Sequence, residues 1–142
     1  MLSLLDVNVL IALLDENHVH HPDASTWFSD HVDEGWASCP ITQNGCLRIV
    51  SHPRYPNGLE VADAISRLRA AVSTPYHRFI PEDISLLDED VIDRRHLLGH
   101  RQLTDAYLLA LAVAHDARLV TLDKSVPVVT VRAARDSSLL VI

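Results

Sequence analysis

The feature that most restricts the fold is a pair of short, predominantly apolar runs, Leu2–Leu5 and Leu119–Leu122, each stopping at an aspartate, Asp6 and Asp123. A run this short and this apolar reads as a strand buried on both faces. Such strands occur in parallel sheets covered by helices on each side. The chain between the two runs supplies the helices. Val7–Leu14 stays apolar until Asp15, Glu16 and Asn17 close it. Ser25–Val32 sets Trp27, Phe28 and Val32 at helical spacing, with Pro22 and Asp23 as the start signal. Gly35–Pro40 reads as a turn, a short strand and a proline that opens a helix over Thr42–Val50. Residues 51–58 hold too many breakers to be other than a loop, and Leu59–Val72 returns to a helical face.

Further on, Phe79–Pro81 is expected to be a third strand, Ser85–Arg95 a short acidic helix, and Val126–Val131 and Leu139–Ile142 two more strands. Thr104–His115 is apolar nearly all round, so its helix must be covered on more than one side. Strands alternating with helices give an α/β fold with a mainly parallel central sheet flanked by helices. At 142 residues, 48% of them apolar, the chain 1–142 is expected to form a single domain with a full core.

Three aspartates stand out by position. In a parallel sheet Asp6 and Asp123 leave their strands on the same rim, the rim on which open α/β sheets bind ligands. Asp105, just after Thr104 as an expected helix cap, sits at the start of the most buried helix and can join them. Carboxylates brought together without partners repel, and one takes up a proton unless a cation intervenes. Mg2+ prefers oxygen ligands, and water bound to it deprotonates more easily and can attack a phosphodiester. Each aspartate also has a plainer reading, as a cap or turn residue or as a charge placed at the positive end of a helix dipole.

Other features narrow the field. A net charge of −7 speaks against a general nucleic-acid coat, though not against a nuclease that gathers acids around a metal. Cys39 and Cys46 form no CxxC pair and read as reduced thiols. The apolar N-terminus lacks a basic leader, and no apolar stretch reaches the ~18 residues of a membrane span, so a cytoplasmic protein is expected. His18, His20 and His21, and the His96–His100 pair, lack the register of a zinc site and read as surface or loop residues. A receiver-type signalling domain would need an acidic pair after the first strand. A haloacid-type phosphatase would need D-x-D there, and Asp6-Val7-Asn8 provides neither.

LLDVNVLIALL at the N-terminus, RQLTDAYLLALA at 101–112 and LVTLD at 119–123 resemble the signature segments of PIN-domain proteins, and more closely those of VapC-type toxins of bacterial toxin–antitoxin pairs. The resemblance runs over essentially the whole chain. It implies a three-layer PIN-like fold and an endoribonuclease that uses Mg2+, or Mn2+ in its place, to hydrolyse structured RNA such as tRNA or rRNA. It also implies a cognate VapB-type antitoxin and a homodimer. Position by position, Asp6, Asp105 and Asp123 match the family's metal-binding acids. Asn8 and Thr121 match polar residues that line the site, and Arg101 matches a basic position before the aspartate-bearing helix. Arg48 and Arg101 are the expected RNA-phosphate contacts. Many relatives carry a further acid, usually glutamate, on the helix after the second strand. Here Ile41–Arg48 has none, and Gln43 is left to hydrogen-bond a metal-bound water. That departure implies weaker metal affinity or a second-metal site that forms only with substrate, and it leaves open a catalytically silent domain that binds RNA or protein.

Overall fold

Every strand pairing in the sheet is parallel, as buried apolar strands joined by helices require. The computed structural model describes residues Met1–Ile142. Five strands, β1 (Ser3–Leu5), β2 (Trp36–Ser38), β3 (His77–Phe79), β4 (Arg118–Thr121) and β5 (Leu139–Val141), lie in the order β3-β2-β1-β4-β5. Helices α1 (Val7–Leu14), α2 (His21–His31), α3 (Pro40–Val50), α4 (Val61–Val72) and α5 (Leu103–Ala114) cover the two faces.

Side chains alternate across the sheet and feed two separate cores. Leu4 and Leu119 point into a cluster with Leu108, Leu109 and Leu111 of α5. Leu5 and Val120 point the other way, toward Val9 and Leu10 of α1, Cys46 and Val50 of α3, and Ala64 of α4. Trp27 and Phe28 pack on that second cluster, which gives α2 its place. Cys39 and Cys46 are buried free thiols.

The all-round apolar character of α5 has its explanation beyond the sheet. Ile80, Ile92, Val126 and Val131 close over its outer side as part of the same core. The chain that carries them departs from the sequence-based expectations. Ser85–Arg95 is not a helix but a set of turns ending in a 3-10 turn at Arg94–His96. Val126–Val131 is not a strand: its middle is a 3-10 turn, Val128–Thr130, and β5 already occupies the free edge of β4. The two segments meet each other instead. Ile92 and Val131 form an isolated antiparallel bridge, with Asp93 N donating to Thr130 O and Arg132 N donating to Val91 O.

Asp93 is buried beneath this junction and locks it. Its carboxylate accepts from the Arg95 amide at 3.2 Å and from the Arg95 guanidinium at 2.9 and 2.7 Å, with Arg132 at 3.7 Å. These partners hold Asp93 well below the usual carboxylate range.

Strand order is what creates the site. From β1 the sheet grows outward through β2 and β3, and the chain then returns to the other side of β1 as β4. The order reverses between β1 and β4, leaving a crevice at their C-terminal ends, where ligands bind in open parallel sheets.

Candidate active site

Asp6, Asp105 and Asp123 line one cleft of about 450 Å3 above that reversal, together with Asn8, Asn44, Arg48 and Thr104. Asp6 is the residue after β1 and the N-cap of α1. Its Oδ1 accepts from the Val7 amide at 2.7 Å, and its own carbonyl accepts from the Val9 and Leu10 amides. Strand end and helix start thus fix both its backbone and its side chain.

Asn8 and Thr121 hold the two strand ends together. The Thr121 hydroxyl donates to Asp6 Oδ2 at 2.7 Å and accepts from the Asn8 amide at 3.1 Å and from the Asp123 backbone N–H at 3.1 Å. Asn8 Oδ1 accepts from the Leu122 amide at 3.1 Å. The turn carrying Asp123 is therefore built onto α1. Asp123 Oδ1 accepts from the Ser125 amide and hydroxyl, each at 2.7 Å.

Asp105 comes from α5. That helix starts at Leu103, after a 3-10 turn at His100–Gln102, so Thr104 lies within its first turn and is not the N-cap expected from sequence. Asp105 still faces the positive end of the helix.

The electrostatics of the three acids differ. Asp105 is pushed up to about 6, first by loss of water and then by the charges of Asp6 and Asp123. Burial raises Asp6 as well, against the opposing pull of the Thr121 hydroxyl and Val7 amide. Asp123 is lowered by its two Ser125 hydrogen bonds. An acid raised by burial and by two neighbouring carboxylates marks a place that wants a cation. The cleft presents oxygen donors from three carboxylates and two amides, with no His or Cys on its walls. That set suits a hard divalent cation. The side chains border the space without closing into a tight ligand cluster.

Two further residues picked from sequence lie elsewhere. Gln43 is not in the cleft. Its amide donates to Ser38 Oγ at 2.9 Å, and its side chain lies with Leu47, Leu68 and Val72 against α4. The helical turn that brings Asn44 and Arg48 to the cleft carries Gln43 away from it. Arg101 is exposed on the 3-10 turn before α5 and does not line the cleft. Arg48 does line it.

Asn44 was missed in the sequence, although it is the α3 residue that faces the acids. Its signal was the helical spacing of Ile41, Asn44, Gly45 and Arg48, which places all four on one face. Gly45 is what lets that face approach. A Cβ there would stand 2.7 Å from Val7 Cγ2, so a larger residue would push α3 off α1.

Comparison with known proteins agrees with the geometry. The family model described as PIN domain matches residues 3–131. Ribonuclease VapC44 of Mycobacterium tuberculosis is 54% identical over 94% of this chain and 94% of its own. Ribonuclease VapC38 of the same organism is 42% identical over 88% and 87%. The chain therefore belongs to the PIN-domain family, in its branch of VapC-type ribonucleases. A solved structure, VapBC2 from Rickettsia felis bound to a DNA fragment from its promoter, shares the fold at a TM-score of 0.58 and 17% identity, covering 87% of this chain and 89% of that one. No helix is long and apolar enough to cross a membrane.

Proposed function

We propose that this chain, 1–142 as a single PIN-like domain, is the toxin of a VapBC-type pair: an endoribonuclease that hydrolyses structured RNA, tRNA or rRNA, with Mg2+ or Mn2+. The observation that carries the reading is the convergence of Asp6, Asp105 and Asp123 on one cleft, with Asp105 raised to about 6 first by burial and then by its two acidic neighbours. Asp6, Asp105 and Asp123 would hold the ion, and Asn44 offers an amide from α3, the helix on which many relatives carry a further acid. A bound divalent cation supplies a water activated for attack and a charge that stabilises the phosphate oxygens.

The protein's own residues do the positioning. Thr121 and Asn8 keep Asp6 and the Asp123 turn in register, so two acids from distant strands arrive prealigned. Arg48, on the cleft wall, holds a phosphate of the substrate. The acidic cleft also suits a basic residue of a cognate VapB-type antitoxin, and a homodimer is the expected assembly.

The absence of any acid from the α3 wall of the cleft favours a second reading, a silent RNA- or protein-binding domain. One experiment separates the two. Purified protein is incubated with total tRNA and with rRNA in Mg2+, in Mn2+ and in EDTA. The ribonuclease reading requires cleavage with metal, none in EDTA, and none from Asp105→Asn. An Asp105→Asn protein that cuts as fast as the parent overturns the assignment of the site.

A further inference from the structure

A basic pocket adjoins the acidic cleft and shares a wall with it. It is lined by Arg48, Ile49, His52, Arg54, Tyr55 and Pro56, with a volume of about 320 Å3. Arg48 and Ile49 line both spaces, so the acidic cleft runs into the basic pocket across the Arg48 side chain. The arginines that engage carboxylates are Arg94, Arg95, Arg118 and Arg132. Arg48 and Arg54 are not among them, although the chain carries a net charge of −7. Two exposed guanidiniums without acidic partners, beside a site meant for phosphodiester chemistry, are positioned for a ligand's anion rather than for an internal ion pair.

The loop that presents them is built rather than loose. His52 N donates to Ile49 O, Tyr55 N to His52 O and Gly58 N to Tyr55 O, a succession of tight turns. The Arg54 amide donates to His52 Nδ1 at 3.0 Å, which leaves Nε2–H as the ring's outward donor. The Tyr55 hydroxyl donates to Asp15 Oδ2 at 2.5 Å and ties the loop to the end of α1. Gly58 closes the turn where a Cβ would meet three carbonyls at 3.2 Å. The backbone that carries the donors is thereby fixed, so that mainly the two arginine side chains are ordered on binding.

We infer that the Arg48–His52–Arg54 pocket is a phosphate subsite on a fixed loop that grips the RNA backbone beside the scissile phosphate. Arg48 is the shared contact between the two phosphates, and Arg54 and the His52 Nε2–H serve the flanking one. The loop would thus set which side of the cleft the RNA strand leaves by, and the acids would set where it is cut. This inference rests on the ribonuclease reading above for the identity of its ligand.

The test measures fluorescence anisotropy of a fluorescein-labelled hairpin RNA with the full chain in EDTA, at several KCl concentrations, beside cleavage of the same RNA in Mg2+. All the substituted positions are exposed, and unchanged Tm values serve as the folding control. Arg54→Ala is expected to weaken binding about tenfold, the scale of one charge-assisted hydrogen bond. It should also lower the salt slope by about 1. Arg54→Lys should keep most of the affinity, and His52→Ala should lose about threefold, in line with the loss of a single ring donor. In cleavage, Arg54→Ala should raise KM more than it lowers kcat.

Unchanged affinity and slope in both Arg54→Ala and His52→Ala overturns the proposal. So does an equal loss from Arg135→Ala, which removes the same charge from the turn before β5 at the opposite rim. A parent chain that binds through these residues yet cuts no RNA with either metal refutes the ribonuclease reading and leaves the subsite standing.

Discussion

The molecule treats two of its aspartates in opposite ways. Asp93 is buried and is met by two arginines, so its charge is fully answered and its carboxyl stays far below the ordinary range. Asp105 is half-buried, faces Asp6 and Asp123, and is pushed up to about 6. The same side chain thus locks one junction and strains another. The contrast teaches what each region is for. Chain covering α5 has to stay in place, and an answered charge fixes it. The cleft has to bind something, and its unanswered charge is the binding energy held in reserve.

That comparison can be broken most decisively by activity. Asp105→Asn should lower RNA cleavage about a thousandfold or more, the scale of losing a principal electrostatic contact to the reacting centre. The same change should leave the fold intact, as judged by circular dichroism. Asp93→Asn should do the reverse, lowering Tm by several degrees and leaving two arginines facing a neutral amide. If Asp93→Asn unfolds no more easily than the parent, the locking role assigned to it is wrong. Because its folded value is depressed, the stability Asp93 contributes is present above its ordinary value of 3.8 and is lost as pH falls through the lower folded one. Acid unfolding should therefore separate parent from variant only above that range.

A smaller effect sharpens the boundary between the two regions. Gly45→Ala gains up to ~1 kcal/mol of helix propensity, but the added Cβ stands 2.7 Å from a branched, stiff Val7 side chain. Overpacking of this kind costs ~1–3 kcal/mol, so the net change is destabilising, and Asn44 and Arg48 shift with the helix. Val7→Ala in the same chain should restore both stability and cleavage. Failure of that rescue would show that the α1–α3 contact is not what limits residue 45.

The smallest effect is the most diagnostic. Asp105 is costly when ionised in the metal-free protein, so Asp105→Asn should raise stability at pH 8 by about 1 kcal/mol, once solvent screening of this half-exposed group is counted. The gain should be complete above about 6, shrink as pH falls, and vanish below 3.8, where the parent's carboxyl is protonated both folded and unfolded. Urea titrations at pH 8, 5 and 3.5 check it. A destabilised variant at pH 8 would mean that Asp105 is a structural acid like Asp93.

Local pattern made much of this legible. The apolar runs ending at Asp6 and Asp123, the Val7–Leu14 helix and the all-round apolar helix after Arg101 are readable because burial on both faces leaves no alternative to such sequences. Strand polarity alone then puts Asp6 and Asp123 on one rim. Ser85–Arg95 was misread because the Ser85 and Asp88 side chains accept from the Leu87 and Asp90 amides and hold turns in place of a helix, and Val126–Val131 for a different reason. An apolar run shows that a segment is buried, not whether a neighbouring edge is free to pair with it, and β5 had already taken that edge. The Thr104 cap failed because an unmarked 3-10 turn moved the helix start to Leu103.

By itself, the sequence determined the layers, the parallel sheet and the acids at its rim, since these follow from periodicities a few residues long. Only the tertiary structure decided that Asn44 rather than Gln43 faces those acids, that Arg101 stands away from them, and that Arg48 joins the cleft to a basic loop. The α3 outcomes depend on how far that helix is rotated and how closely it packs on α1, an approach that the missing methyl at Gly45 permits, and the place of Arg101 depends on the 3-10 turn before α5.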